Sequence, residues 1–262
     1  MKRRSPELSK LYEHLTWVEV AEAADRGAGV IVPLGAIEQH GPHLPLDTDT
    51  YLARELALAG SAGYDVLVAP MVPFGYRSRP LSGGGPAFRG TLSLSGTTFI
   101  AIVSEVVSGL MEQGFHRLLM YAWHMENQNF TYEAAYLAAG DRDDVKVVVM
   151  ETPFDSLSEQ TMRLLYEDDF PGWPAEHASV METSVMLYLR PELVDMAKAV
   201  DDRVEEEPPY DVIPPPPSLT TRSGVLFKAT RASRDKGAVA FGEIAAHLRR
   251  VLDAEFPELA RR

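Results

Sequence analysis

Five side chains able to bind a metal ion fall between residues 38 and 49 of this chain: Glu38, His40, His43, Asp47 and Asp49. They follow an apolar run at residues 30–32, so they crowd the end of what reads as a buried strand. Carboxylates ionise cheaply there only if something compensates them, and a divalent cation is the simplest compensation. Two-residue spacing puts Glu38 and His40 on one face of an extended backbone, and the same spacing recurs at His124 and Glu126, just past a second apolar run at residues 117–122. Two carboxylates, two imidazoles and Asp49 as a bridging fifth group would hold two divalent cations in nitrogen and oxygen coordination with a shared water, the equipment of metal-assisted hydrolysis. His43 reads as a supporting donor or a loop residue and Asp47 as a turn residue, so both are left outside that shell.

A second group stands in the Pro- and Trp-bearing stretch at residues 170–179, where Trp173 precedes the adjacent pair Glu176 and His177. In a loop the glutamate can orient the histidine, and a histidine so placed can protonate a leaving nitrogen. Glu182 admits two readings: with Ser179 it forms the S-x-x-E pattern of a capping box, or it lies near the metals. The Gly-rich segment at residues 82–86 lacks the lysine and the strand-to-helix setting of a phosphate loop and reads as a flexible substrate wall.

Positioning these groups requires strands that end at one crevice. Apolar runs at residues 30–32, 66–68, 117–122 and 145–150 read as strands. Helical patterns fall at residues 7–25, 50–60 with Asp49 or Thr50 as N-cap, 99–111, 129–139, 156–166, 180–189 and 237–256. This alternation predicts an α/β fold with a mainly parallel sheet, whose strand ends face a common ligand crevice. Residues 70–96 form a long Gly- and Pro-rich stretch, and residues 205–219, with EEEPP and PPPP, predict an exposed arm or lid.

The length of 262 residues, with no low-complexity linker, predicts one domain over residues 1–262. A net charge of -13 argues against nucleic acid as a partner, and the absence of cysteine leaves His, Asp and Glu as the only metal ligands. No apolar run approaches the roughly 18 residues needed to span a bilayer, so no membrane partner is expected. Residues 1–14 lack the apolar middle of a secretory signal, so the expected location is cytoplasmic.

The chain resembles the creatininase-like metal-dependent amidohydrolases. The resemblance rests on GAIEQHGPHLPLDTD at residues 35–49, GYRSRPLSGGGPAFRGTLSLSGTT at 75–98, WHMEN at 123–127 and WPAEHASVMETS at 173–184. It implies a three-layer α/β/α fold with a mainly parallel central sheet, a homohexamer, and a binuclear site holding zinc, manganese or both. In that resemblance Glu38 and His124 bind one metal, His40 and Glu126 the other, and Asp49 bridges. HMEN and the Trp173, Glu176 and His177 cluster resemble the branch that opens the cyclic amide of creatinine to creatine. The implied catalytic residues are then Glu126, Glu176 and His177, with a metal-held hydroxide as nucleophile, His177 as proton donor and Glu176 orienting it. Ser82 and Trp173 would contact the substrate. Met125 and Phe154 stand where that branch usually has aromatic and tryptophan residues, and both belong to the substrate pocket. Other small amides, a formamide or a short peptide, are the alternative substrates, and a metal-binding assembly protein without activity is the alternative from another class.

Overall fold

The computed structural model describes residues 10–204 and 208–261. Residues 7–9 of the expected first helix and the acidic residues Glu205, Glu206 and Glu207 lie outside the described residues, and the described part of that stretch makes only a 3-10 turn at Tyr12–His14 before the α-helix begins at Trp17. The sheet contains β1 (Gly29–Leu34), β2 (Val66–Val68), β3 (Arg117–Ala122) and β4 (Lys146–Val149), all parallel, in the order β2-β1-β3-β4. The helices are α1 (Trp17–Asp25), α2 (Thr48–Gly60), α3 (Gly96–Glu112), α4 (Gln128–Ala139), α5 (Glu159–Tyr166), α6 (Val180–Leu189) and α7 (Arg234–Glu255).

Side-chain alternation on the strands divides the core into two apolar layers. Val30, Val32, Leu34, Leu118 and Met120 face one layer with residues of α1, α3 and α4. Ile31, Leu119 and Tyr121 face the other, with residues of α2, α6 and α7. The result is a three-layer α/β/α sandwich with both faces of the parallel sheet covered.

Local signals account for several boundaries. Thr16 and Glu19 form a capping box at α1, and Ser95, Ser158 and Ser233 cap α3, α5 and α7 by accepting from backbone N–H groups. Helix α7 starts at Arg234, earlier than the expected Gly237, because Ser233 supplies that cap. Gly237 is needed inside the helix: a Cβ there would fall within the Ser184 carbonyl, so the glycine lets α7 lie directly on α6. Helix α2 begins at Thr48 with Asp47 at its N-cap position, which frees Asp49 from the capping role that the sequence allowed it. The loop at residues 70–95 contains short 3-10 turns at Pro80–Ser82 and Gly85–Ala87 and isolated bridges at Val72, Tyr76, Leu92 and Leu94. Of the expected arm, the described residues 208–219 carry one such turn, Pro217–Leu219.

The sequence of strands runs outward from β1 to β2 and then back across β1 to β3, so the topology reverses between β1 and β3. Ligand crevices open at such switch points, beyond the carboxyl ends of the strands.

Candidate metal centre and active site

Each side of the switch point supplies part of a buried polar cluster. Glu38 and His40 follow β1, Asp49 lies in the first turn of α2, and His124 follows β3; all four are buried. Gly35 brings α2 this close, since a Cβ there would lie 2.7 Å from the Cα of Thr50. Asn127 ties the three connections together, donating to Gly35 O at 2.9 Å and accepting from Tyr76 N–H at 2.7 Å.

The ligand-type atoms fall into triads whose members lie within 4.8 Å of one another: Glu38 with Asp49 and His124, His40 with Asp49 and Glu182, and Glu38 with His40 and His177. Asp49 belongs to two of them, with Oδ2 3.3 Å from His124 Nδ1 and Oδ1 3.3 Å from His40 Nε2. Both imidazoles have their outer nitrogen occupied. His124 Nε2 lies 2.9 Å from Tyr76 O, and His40 Nδ1 lies 3.2 Å from Glu38 O. Each carbonyl accepts from that outer nitrogen and turns the other nitrogen inward, the orientation metal-binding histidines usually require. His40 Nε2 and Asp49 Oδ2 are buried without a hydrogen-bond partner, which marks positions a cation would satisfy.

The electrostatics point the same way. Burial opposes charge on His40, but Asp49 and then Glu182 outweigh it and raise the imidazole to about 10. Burial likewise opposes charge on His124, and Glu38 with Asp49 overrides it and raises the group. Asp49 is pushed up by burial yet lowered further by His40 and His124, and Glu38 is lowered on the same balance by His124 and His177. Protons on the histidines thus stand in for the positive charge the carboxylates demand.

Glu182 settles differently from the capping reading. Ser179 makes no side-chain cap bond; Glu182 Oε2 instead accepts from Ala178 N–H at 2.8 Å and Oε1 from Trp123 Nε1–H at 3.1 Å. That grip leaves Oε2 3.7 Å from His40 Nε2. Glu126 falls outside the three triads: its Oε2 is 3.6 Å from His124 Nε2, the nitrogen turned away from Asp49, and its Oε1 accepts from the Ser82 hydroxyl. Glu182 therefore occupies the place beside His40 that the resemblance gave to Glu126. The physical reason is direction: Glu126 lies in a 3-10 turn at Met125–Asn127, which breaks the extended spacing assumed for His124 and Glu126.

His177 and Glu176 are both buried, but among the described residues no hydrogen bond or ion pair joins their side chains. Glu176 Oε1 accepts from Met181 N–H at 2.8 Å, and burial with the neighbouring charge of Glu182 pushes its carboxyl up to about 8. His177 is held by Gln39, with Nε2 2.7 Å from the main-chain oxygen, and it stacks on His40 with ring centroids 4.4 Å apart. The described partner of the His177 ring nitrogen is therefore Gln39 and not Glu176, and Gln39 is a residue the sequence reading passed over between two candidate ligands. His43 is buried with Nε2 2.9 Å from Thr183 Oγ1.

The cavity over the cluster is lined by Ser82, Trp123, Met125, Phe154 and Trp173 together with the polar groups. Phe154 sits between Trp123 and Trp173, with centroids 5.7 and 4.8 Å away, forming an aromatic wall suited to a flat, small ligand. Ser78, which the sequence reading did not select, donates its hydroxyl hydrogen bond to Glu38 Oε2. No helix of the described residues is long and apolar enough to cross a membrane.

Comparison with known proteins agrees with this geometry. A family model described as creatinine amidohydrolase matches residues 13–252. The creatinine amidohydrolase of Pseudomonas putida is 36% identical over 93% of this chain and 96% of its own length. A mycofactocin precursor peptide peptidase of Mycolicibacterium smegmatis is 30% identical over 62% of this chain and 58% of its own. Among solved structures, a creatininase variant complexed with creatine superposes with a TM-score of 0.90 at 34% identity, covering 95% of this chain and 99% of that one. A manganese creatininase matches with the same figures, and a variant of zinc-zinc type has a TM-score of 0.90 at 35% identity over 94% and 98%.

Proposed function

The chain belongs to the creatininase family of metal-dependent amidohydrolases, and from that premise we propose that it hydrolyses the cyclic amide of creatinine to creatine. The observation that carries this is the pairing of the carboxylate and imidazole triads with an aromatic wall above them, in a chain with extensive similarity to a creatinine amidohydrolase and to a solved relative complexed with creatine.

Two divalent cations, zinc or manganese, fit the donor set. Glu38, Asp49 and His124 would hold one, and His40, Asp49 and Glu182 the other, with Asp49 shared. What the cations supply is Lewis acidity: a lowered pKa for water and polarisation of the scissile carbonyl. The protein's own groups do the rest. Trp173, Phe154 and Met125 hold the flat ring and exclude water, Ser82 and Glu126 face it from the Gly-rich side, and His177 passes a proton to the ring nitrogen as the carbon–nitrogen bond opens. Glu176 supports the turn into α6 through Met181 and stands behind Glu182. Residues 1–262 act as one catalytic domain in this reading, assembled as a homohexamer.

A second reading keeps the chemistry and changes the substrate to another small amide, a formamide or a short peptide. It is favoured by the peptidase relative and by the groove that runs outward from Met125 and Glu126 past Tyr76, Arg79 and Ile213, which has room for a linear chain. The deciding experiment follows creatine formation from creatinine with and without chelator, with His177→Ala as control, beside formamide and short peptides. Chelator-sensitive turnover of creatinine supports the first reading. Metal-replete protein that ignores creatinine and cleaves a linear amide replaces it with the second. Light scattering on the eluting enzyme tests the hexamer.

A further inference from the structure

Ser82 lines the catalytic cavity and donates its hydroxyl hydrogen bond to Glu126, yet the segment that carries it has little to hold itself in place. Gly83, Gly84 and Gly85 follow it at φ +132°, +78° and +52°, conformations that glycine adopts freely and that bring no side chain to pack. The 3-10 turn at Pro80–Ser82 is also short of bonds of its own. Pro80 has no N–H, Ser82 N–H donates to Arg79 O at 3.1 Å, and Arg79, at the N-cap position, makes no side-chain cap. That leaves the Leu81 N–H, and its partner comes from outside the turn: it donates to Asp211 Oδ1 at 3.2 Å, across 130 residues of chain.

Asp211 belongs to the proline-rich arm. Pro208 and Pro209 precede it and four prolines at residues 214–217 follow, and their fixed φ angles reduce the freedom the arm must surrender to hold one geometry. On one side Asp211 lines the groove beside Glu126. On the other it lines a hollow with Leu81 and Pro174, so it stands between the Gly-rich segment and the turn at Trp173–Ala175. Its Oδ2 also lies 4.0 Å from Arg79 Nη1, and Arg79 Nε lies 4.0 Å from Glu126 Oε1. Beyond Ser82, Gly83 O accepts from Gln39 Nε2–H at 2.9 Å. Ser82 is thus bracketed by two hydrogen bonds from remote parts of the chain, one of them made by Asp211.

We propose that Asp211 is a positioning residue: by accepting the Leu81 N–H it fixes the Gly-rich segment so that the Ser82 hydroxyl meets Glu126 and the substrate. This rests on the hydrolase reading above. The arm then contributes to substrate binding without touching the substrate. When the carboxylate is removed, the turn loses its partner on the arm, and Ser82 samples positions from which its hydroxyl no longer reaches Glu126. The effect falls on substrate binding and not on the cations, since the triads contain neither Ser82 nor Asp211.

The test combines hydrogen exchange with kinetics on zinc-loaded enzyme, in the unaltered protein, Asp211→Ala, Asp211→Asn, Ser82→Ala and the double variant Asp211→Ala, Ser82→Ala. Tyr210, Val212 and Ile213 around Asp211 are exposed, so these substitutions on the arm leave the core intact. In peptic fragments spanning residues 79–88, the Leu81 amide is expected to exchange slowly in the unaltered protein and faster in Asp211→Ala. It should be slow again in Asp211→Asn, whose side-chain oxygen still accepts. Asp211→Ala is expected to raise KM about 10-fold, the weight of one hydrogen bond to a charged group, with kcat and zinc content little changed. Asp211→Asn should recover most of that loss. In the Ser82→Ala background Asp211→Ala is expected to cost nothing further, because its effect runs through that hydroxyl. Unchanged exchange at Leu81, an unchanged KM, no recovery in Asp211→Asn, or a loss that adds in full to that of Ser82→Ala overturns the proposal. The exchange measurement needs no substrate, and KM is read on whichever amide the enzyme turns over, so a wrong substrate assignment is seen separately.

Discussion

The carboxylate of Glu182 stands 3.7 Å from the imidazole of His40, although one arrives from the first turn of α6 and the other from the connection after β1. Trp123 and the Ala178 N–H hold the carboxylate from behind, so its approach to His40 is built rather than incidental.

Glu182→Ala is accordingly expected to lower the cation content from two per chain to one, while the triad of Glu38, Asp49 and His124 stays filled. Elemental analysis of dialysed protein checks this. Amide turnover should fall by at least about 100-fold, since the shared carboxylate then clamps only one ion.

Cation binding should expel protons. His40 is raised to about 10 and His124 is raised as well, so at neutral pH both carry protons that a metal must displace. Calorimetric titration with zinc in buffers of different ionisation enthalpy should show release of roughly one to two protons, and affinity should rise with pH.

The same shift makes a stability prediction for the metal-stripped protein. The folded value for His40 lies above its ordinary value of 6.5, so its contribution is fully present below about 6.5 and is lost as pH rises through about 10. The melting temperature of stripped protein should drop across that window, and that of loaded protein should stay nearly level.

Ser78→Ala removes the hydroxyl that donates to Glu38. Supporting hydrogen bonds of this kind are worth about 10- to 100-fold in metal affinity. Competition with a chromophoric chelator should show that loss, with the aromatic wall and the fold unaffected.

Phe154→Ala should act on both stability and substrate. The ring is buried between Trp123 and Trp173, and its removal should cost about 3–5 kcal/mol in denaturant unfolding. KM should rise more than kcat falls, because the wall holds the substrate and takes no part in bond breaking.

The strands and most helices were legible from local pattern. The β-branched run at residues 30–32 and the apolar run at 117–122 have no amphipathic alternative, and covering both faces of such strands forces three layers. The histidines and carboxylates after those strands were visible because their types are rare at strand ends. What spacing could not give was direction: the 3-10 turn at Met125–Asn127 swings Glu126 aside, and Ser179 makes no cap bond that would compete for Glu182, so the carboxylate that lies beside His40 is that of Glu182. Gln39 was missed for a related reason. Its partners, Gly83, His177 and Gly224, are distant in the chain, and nothing local to Gln39 announces them.

Helix α7 supplies none of the triad side chains, yet their placement depends on it. Glu182 is placed by α6, and α6 is seated by the long final helix through the close approach at Gly237. The same helix packs on α2, where Gly60 makes room for Leu248, so α7 lies beneath both helices that bring a carboxylate to the cluster, Asp49 from α2 and Glu182 from α6.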